Sequence, residues 1–320
     1  MGVRDRPGRT LVKRLAVATL VANVVIVVTG GAVRLTGSGL GCPTWPRCSR
    51  GSFVVHDALG VHGLVEFSNR MLTFVLAALV IATWLTVMRV RPQRSSLRRL
   101  ATVLLLGVPA QALLGGVTVL SDLNPWVVAL HLLLSLAIIA VAVTLVRRVD
   151  EEDRPPAPTV PRPVVLLTRA MFGSVWAVLY VGTVVTGSGP HAGDQNAPRT
   201  GLPPGAVSQL HADLVFLLVG LTVGTLFAFR TVDAPERAQR AVRWLLGIEL
   251  AQGVVGFTQY FTGLPVALVA VHVLGAALVS ACAMWVLLGV RERGVQRTQL
   301  PLAQRMSSGS IATARKSSAR

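Results

Sequence analysis

The chain has 320 residues, of which 52% are hydrophobic and 14% charged, and its mean hydropathy is +0.61. This excludes an ordinary soluble domain, because the apolar residues come in blocks of about 20, the length of a helix across a bilayer. The net charge of +17 does not indicate nucleic acid either. Of the 31 Lys and Arg, 26 lie before the first apolar block, in the connections after the second, fourth and sixth blocks, or in the tail from residue 291. This is the positive-inside pattern: it puts both termini in the cytoplasm and makes anionic membrane lipid the partner of the basic residues.

Eight apolar blocks follow one another, at residues 14–34, 64–88, 100–120, 127–146, 166–186, 209–230, 243–261 and 266–290. The alternation of polarity that barrel strands need is absent. The first block follows basic residues, as in a signal peptide, but runs on into GGAVRLTGSG without a convincing cleavage site, and is read as an uncleaved first span. It ends in the tetrapeptide TGSG at 36–39, and the fifth block ends in the same tetrapeptide at 186–189. A longer repeat relates residues 111–131 to 252–272. Each copy is an apolar run, a short break with a proline (Pro125, Pro265), then a second run with one histidine near its start. The aligned pairs are Gln111/Gln252, Gly115/Gly256, Leu123/Leu264, Val128/Val269, Ala129/Ala270 and His131/His272.

The expected fold is therefore an all-α integral membrane protein of eight transmembrane helices, arranged as two pseudo-symmetric four-helix bundles. An even number of spans per half gives both halves one orientation, so the relating axis runs along the membrane normal. The halves are residues 1–149 and 166–290. Residues 150–165 (with DEEDRPPAPTVPRP) form a cytoplasmic linker expected to be flexible, and 291–320 a basic, disordered cytoplasmic tail. The protein is expected to be a multi-pass protein of the cell membrane, and a homo-oligomer is compatible with this.

The loop after the first span holds Cys42 and Cys48 in GLGCPTWPRC. Outside the membrane, two cysteines six apart around prolines are read first as a disulfide, with a redox-active or metal-binding pair as the alternative. Cys282, inside the last span, is read as a packing residue. Span two opens HGLVEFSNRM, and helical spacing puts His62, Glu66 and Asn69 on one face. Aligning the halves sets Asn69 opposite His211 of span six. A histidine inside a membrane helix is costly unless it faces a partner or ligand, and two on facing helices of a bundle can hold a haem iron from both sides. His211 and His272 are thus candidate ligands, with His131 and His62 as candidates in the first half; a polar interhelical contact is the alternative for each. His56 and His191 fall in outer loops, with solvated or gating roles. Glu66 either pairs with Arg70 at i+4 or serves as a proton acceptor or a group stabilising positive charge. Asp213 and Glu249 receive no role.

On TGSGLGCPTWPRC, on EFSNR at the head of span two, on the two Q…H hairpins and on His211, the chain resembles the haem A synthases of the CtaA/Cox15 family, of the actinobacterial kind, over nearly all of residues 15–290. The resemblance implies a haem b cofactor in the second half on His211 and His272, and the substrate haem O in the first half at His131. It implies a Cys42–Cys48 disulfide and a catalytic Glu66. The reaction implied is oxidation of the haem O methyl group at C8 to a formyl group by successive hydroxylations, with a haem O synthase (protohaem farnesyltransferase) as upstream partner. One position departs from the pattern: many members read Glu-x-x-His at the head of span two, where this chain has Asn69. His62 is the candidate to replace that ligand and His56 a weaker one; without either, the substrate iron is five-coordinate through His131. The rival readings are a bis-histidine cytochrome b-type electron carrier and a transporter. A carrier gives no reason for Glu66, and a transporter predicts a site near the midplane rather than histidines gathered at the outer end.

Overall fold

The computed structural model describes residues 8–56 and 59–294. Among them are eight α-helices: α1 (Arg9–Leu35), α2 (Gly60–Arg89), α3 (Ser95–Leu120), α4 (Pro125–Val149), α5 (Arg162–Ser188), α6 (Pro204–Thr231), α7 (Glu236–Phe261) and α8 (Val266–Gly289). A two-residue strand β1 (Ala157–Pro158) pairs antiparallel with β2 (Arg291–Glu292). Seven of the helices are long and apolar enough to cross a membrane. The exception to the expected eight is α7, which has the length but carries Glu236, Arg237, Arg240, Arg243 and Glu249. Several helices start before their apolar blocks, because the backbone stays hydrogen-bonded beyond the stretch that must be apolar.

The repeated hairpins share a backbone solution. At the end of α3 the Leu123 N–H reaches back to the Thr118 carbonyl at 2.8 Å, and at the end of α7 the Leu264 N–H reaches the Gln259 carbonyl at 2.7 Å. In each case the preceding residue is left-handed, Asp122 at φ 50° and Gly263 at φ 77°. This is the six-to-one closure that satisfies the last helix carbonyls. Asn124 then caps α4 by accepting from the Trp126 N–H at 3.0 Å, with Pro125 at the first helical position. The two TGSG segments, by contrast, diverge. The first ends α1 with Gly37 at φ 66°, whereas the second stays helical to Ser188. Gly187 is packed there against Thr200 and Pro125, and Ser188 bonds back to the Val184 carbonyl at 2.9 Å.

Helices α1 to α4 pack in sequence order and close into a ring, α4 on α1; α5 to α8 do the same. The rings are not separate. α1 and α4 lie against α8, and α4 lies against α5. The larger apolar core takes Val27 from α1 and Leu136, Ile139 and Val143 from α4 together with side chains of α5 to α8. The Ser280 hydroxyl of α8 donates to the Leu136 carbonyl of α4 at 2.9 Å.

Both described ends of the chain lie at one end of the helices, which is also the arginine-rich end. The linker expected to be flexible is held there instead. Asp150 pairs with Arg9 at 2.7 Å and Lys13 at 2.5 Å; Glu151 is buried between Arg147 and Arg148; and Asp153 accepts from Ser95 and Ser96. The physical reason is charge: an acidic run meets cationic helix termini, and β1 then pairs with the segment after α8. Arg291 and Glu292 of the expected tail lie in that strand pair, and residues 295–320 lie outside the described residues. At the opposite end the loops interlock. Gly39 N–H donates to the Gly193 carbonyl at 2.8 Å, and Arg34 Nε to the His191 carbonyl at 2.7 Å. The ring Nε2 of His191 meets the Leu264 carbonyl at 2.9 Å. His191 is thus a half-buried tie between segments, not a solvated loop residue.

Candidate functional site

In the second ring the helices bring two sequence-selected histidines together. His211 on α6 and His272 on α8 have ring centroids 6.4 Å apart with planes at 73°. The Nδ1 of each is buried; that of His272 meets no hydrogen-bond partner, and the His211 ring lies against the Val178 backbone of α5. Each ring leans on a glycine of the adjoining helix. A Cβ added at Gly182 of α5 would come within 3.1 Å of His211 Cε1, and one at Gly256 of α7 within 3.7 Å of His272 Cε1. The missing side chain at Gly182 makes room for the His211 imidazole, whereas at Gly256 a Cβ would meet His272 only in ordinary contact.

This arrangement fits a haem iron. An imidazole nitrogen binds a transition metal at ~2.0 Å, and the ring centre lies about 1 Å behind the nitrogen, so two rings sharing one metal stand about 6 Å apart.

The first ring repeats the cradle once. The ring of His131 on α4 leans on Gly115 of α3, where an added Cβ would lie 3.2 Å from Cε1, and its Nδ1 is buried without a partner. Gln111 fixes the helix behind it, donating to the His131 carbonyl at 3.2 Å and to Ser135 Oγ at 2.8 Å. The other candidates of the first half are engaged elsewhere. Asn69 accepts from Thr29 Oγ1 of α1 at 2.8 Å, and His62 is exposed with Nδ1 2.9 Å from Ser38 Oγ. His56 is exposed too, 3.3 Å from Ser49 Oγ within its loop. Among the described residues His211–His272 is the one histidine–histidine ring contact.

Cys42 and Cys48 form a disulfide, both buried. The loop they close is clamped by the head of α2. Glu66, 5% exposed, pairs through Oε1 with Arg70 Nη2 at 2.5 Å and accepts the Cys42 N–H on Oε2 at 2.7 Å. Arg70 donates onward to the carbonyls of Cys42 at 3.1 Å and Thr44 at 3.2 Å. Of the two roles open to Glu66, the pairing with Arg70 is present, and both carboxylate oxygens are engaged. Trp45, in the same loop, lies on Gly116 of α3 so closely that a Cβ there would fall 2.4 Å from the indole. The loop therefore spans from Glu66 to the glycine step beside His131. Trp45, Gly116 and Gly182 escaped the sequence reading. The available signals were an aromatic between prolines inside the cysteine loop, and a Gly-Gly pair in the helix facing a histidine. Asp213 is exposed and accepts from Gln209 at 2.7 Å.

A multi-pass, helical membrane protein with half-buried imidazoles resting on glycines of the neighbouring helices is the class that fold and site define. The chain belongs to the COX15-CtaA family, described as cytochrome oxidase assembly protein, whose family model matches residues 13–201. That match ends before His211 and His272. A heme A synthase of Halalkalibacterium halodurans is 26% identical over 261 residues, covering 78% of this chain and 85% of that protein. Heme A synthases of Listeria welshimeri and Bacillus licheniformis are each 31% identical, over 147 and 146 residues. Those two alignments cover 48% and 46% of the relatives, about half their length.

Proposed function

We propose that this protein is a haem A synthase, an oxidoreductase that converts the C8 methyl group of haem O to a formyl group by successive hydroxylations. The family and its heme A synthase relatives support the reaction. The observation that carries the division of labour is the His211–His272 pair at 6.4 Å. In this reading the second ring holds a haem b through His211 and His272, and the first ring receives haem O at His131. Bound there, haem b supplies one-electron redox chemistry. Gly182 orients His211, and Gly115 orients His131.

The disulfide loop covers the outer end of the first ring and excludes water. Glu66, held by Arg70 and the Cys42 amide, acts as a fixed negative charge. Its part is to stabilise positive charge that builds beside the porphyrin as the methyl is oxidised, rather than to carry protons, since both oxygens are engaged. Asn69, bonded to α1, contributes shape and polarity to the substrate side; His62 becomes an iron ligand there only if it leaves Ser38.

The same reading counts α7 as an eighth span, because α7 seats His272 through Gly256, and relates the two rings by a pseudo-twofold axis along the membrane normal. The arginine-rich end faces the cytoplasm with both termini and the disulfide end faces outward, in the plasma membrane. A haem O synthase in that membrane supplies the substrate. The test is co-expression with a haem O synthase followed by pigment extraction. Haem A or its hydroxylated precursor is expected; accumulation of haem O alone sinks the reading.

A further inference from the structure

One buried carboxylate remains outside everything described so far. Glu249 on α7 is 4% exposed. Thr222 of α6 donates to its Oε1 at 3.0 Å, while Oε2 is buried and meets no partner. The groups that face it are few. From α6 there is the uncharged Thr222, and from α8 the thiol of Cys282, close enough to feel the carboxyl's charge. The other ionisable groups of these helices lie at their ends. On α7, Glu236, Arg237, Arg240 and Arg243 lie toward the arginine-rich end and Tyr260 toward the other. On α6, Arg230 lies at the arginine-rich end and His211 and Asp213 at the other, where His272 of α8 also lies.

Position along the helices relates Glu249 to the imidazole pair. It is seven residues from Gly256, the glycine that seats His272, or about 10 Å along the axis. Thr222 is eleven residues from His211, or about 16 Å. The carboxyl therefore lies inside the second ring, between the histidines and the arginine-rich end. With one neutral donor and no counter-ion, a charge on this carboxyl is costly in the low-dielectric interior, and positive charge added at the histidine site offsets that cost.

We propose that Glu249 is a protonation site coupled to the oxidation state of the iron held by His211 and His272. It gains one proton at Oε2 when that site gains one electron, and releases the proton when the electron leaves. The electron comes from oxidation of the haem substrate, or from a chemical reductant in the test, and the proton comes from water at the arginine-rich end. The charge of the ring interior is then the same in both states. This inference rests on the reading that the pair binds a haem.

The test uses the purified holoprotein in detergent. The haem absorbance is titrated between ferricyanide and dithionite through mediators over a range of pH, and reduced-minus-oxidised infrared spectra are recorded in H2O and D2O. The midpoint potential should fall with rising pH across one window. A protonated-carboxyl band, sensitive to D2O, should appear on reduction. Glu249→Gln should abolish both while keeping the haem. Thr222→Val probes the same site without altering the carboxyl and should move the window to higher pH, so the inference stays testable if Glu249→Gln does not fold. A pH-independent potential in the unmodified protein, or a pH dependence and band that survive in Glu249→Gln, overturns the inference. A protein that holds no haem with a paired-imidazole spectrum overturns the haem reading instead.

Discussion

Arg70→Gln tests whether the head of α2 and the disulfide loop form one unit. In the native protein the Arg70 side chain is 20% exposed and that of Glu66 7%, at 2.5 Å. Removing the guanidinium leaves a buried carboxylate with one backbone donor, the Cys42 amide, and also strips a donor from the carbonyls of Cys42 and Thr44. Breaking a buried ion pair from one side costs about 3–5 kcal/mol; the partial exposure of Arg70 puts this case near 3 kcal/mol. For a chain of this size that is a fall of about 4 °C in the unfolding midpoint. Glu66→Gln with Arg70→Gln removes both charges and should recover much of the loss, with a coupling of about 2 kcal/mol in the double-mutant cycle. Thermal unfolding in detergent, followed by tryptophan fluorescence, reads the four corners of the cycle. A coupling below about 0.5 kcal/mol is what an exposed pair gives and would refute the clamp.

The glycine cradles predict an order: Gly182→Ala puts a Cβ 3.1 Å from His211, Gly256→Ala puts one 3.7 Å from His272. The first should lose bound haem severalfold and the second keep it, as read by the pyridine haemochrome of purified protein. Asn69→His restores a histidine at the position aligned with His211. The purified variant should retain more b-type haem per chain than the native protein, and an unchanged ratio counts against the first ring as a porphyrin site. Asp150 gives a pH prediction. Partial burial raises its carboxyl, but hydrogen bonds and charge from Lys13 and Arg9 outweigh this and hold it below the usual aspartate range. A depressed folded value means its stabilisation is present above the unfolded value of ~3.9 and is lost as pH falls through the folded one. Unfolding midpoints measured down to about pH 3 should therefore drop for the native protein, and by less for Asp150→Asn, which lacks that contribution throughout.

The helices and their order were legible because membrane helices announce themselves by unbroken apolar length, and the hairpin repeat carried its geometry with it. Leu123 and Leu264, paired by alignment alone, sit at φ 60° and 61°. The pairing of His211 with His272 was legible for the same reason: helical period and chain order leave little freedom for a residue one or two turns inside a span. The linker at 150–165 was misread because composition reports the absence of a core but says nothing of what lies opposite. There, Arg9, Lys13, Arg94, Arg147 and Arg148 await the acidic residues. The TGSG segments show the same limit from the other side. Identical residues end one helix and continue another, because only the second meets Thr200 and Pro125. Trp45 was missed since its partner is a glycine, which leaves no side chain to notice.

The repeat of residues 111–131 at 252–272 accounts for a similar cradle in both rings, and the proposed function turns on where the two copies differ. In the second ring two imidazoles face each other with ring centroids 6.4 Å apart, the pair that the proposed reading gives to a resident haem. In the first ring one histidine is cradled, and the other two candidates are bonded elsewhere, Asn69 to Thr29 and His62 to Ser38. A site gripped from one side binds less tightly than one gripped from two, which suits the exchanged substrate that the proposed reading puts there. In that reading the disulfide loop adds what a second ligand would have given. Clamped by Arg70 at one side and wedged by Trp45 at the other, it is present on the first ring, while the corresponding loop of the second has no cysteine. On the proposed reading, retention and turnover are thus set by opposite choices made on one scaffold: a second histidine where the haem stays, and a covered single histidine where it is exchanged.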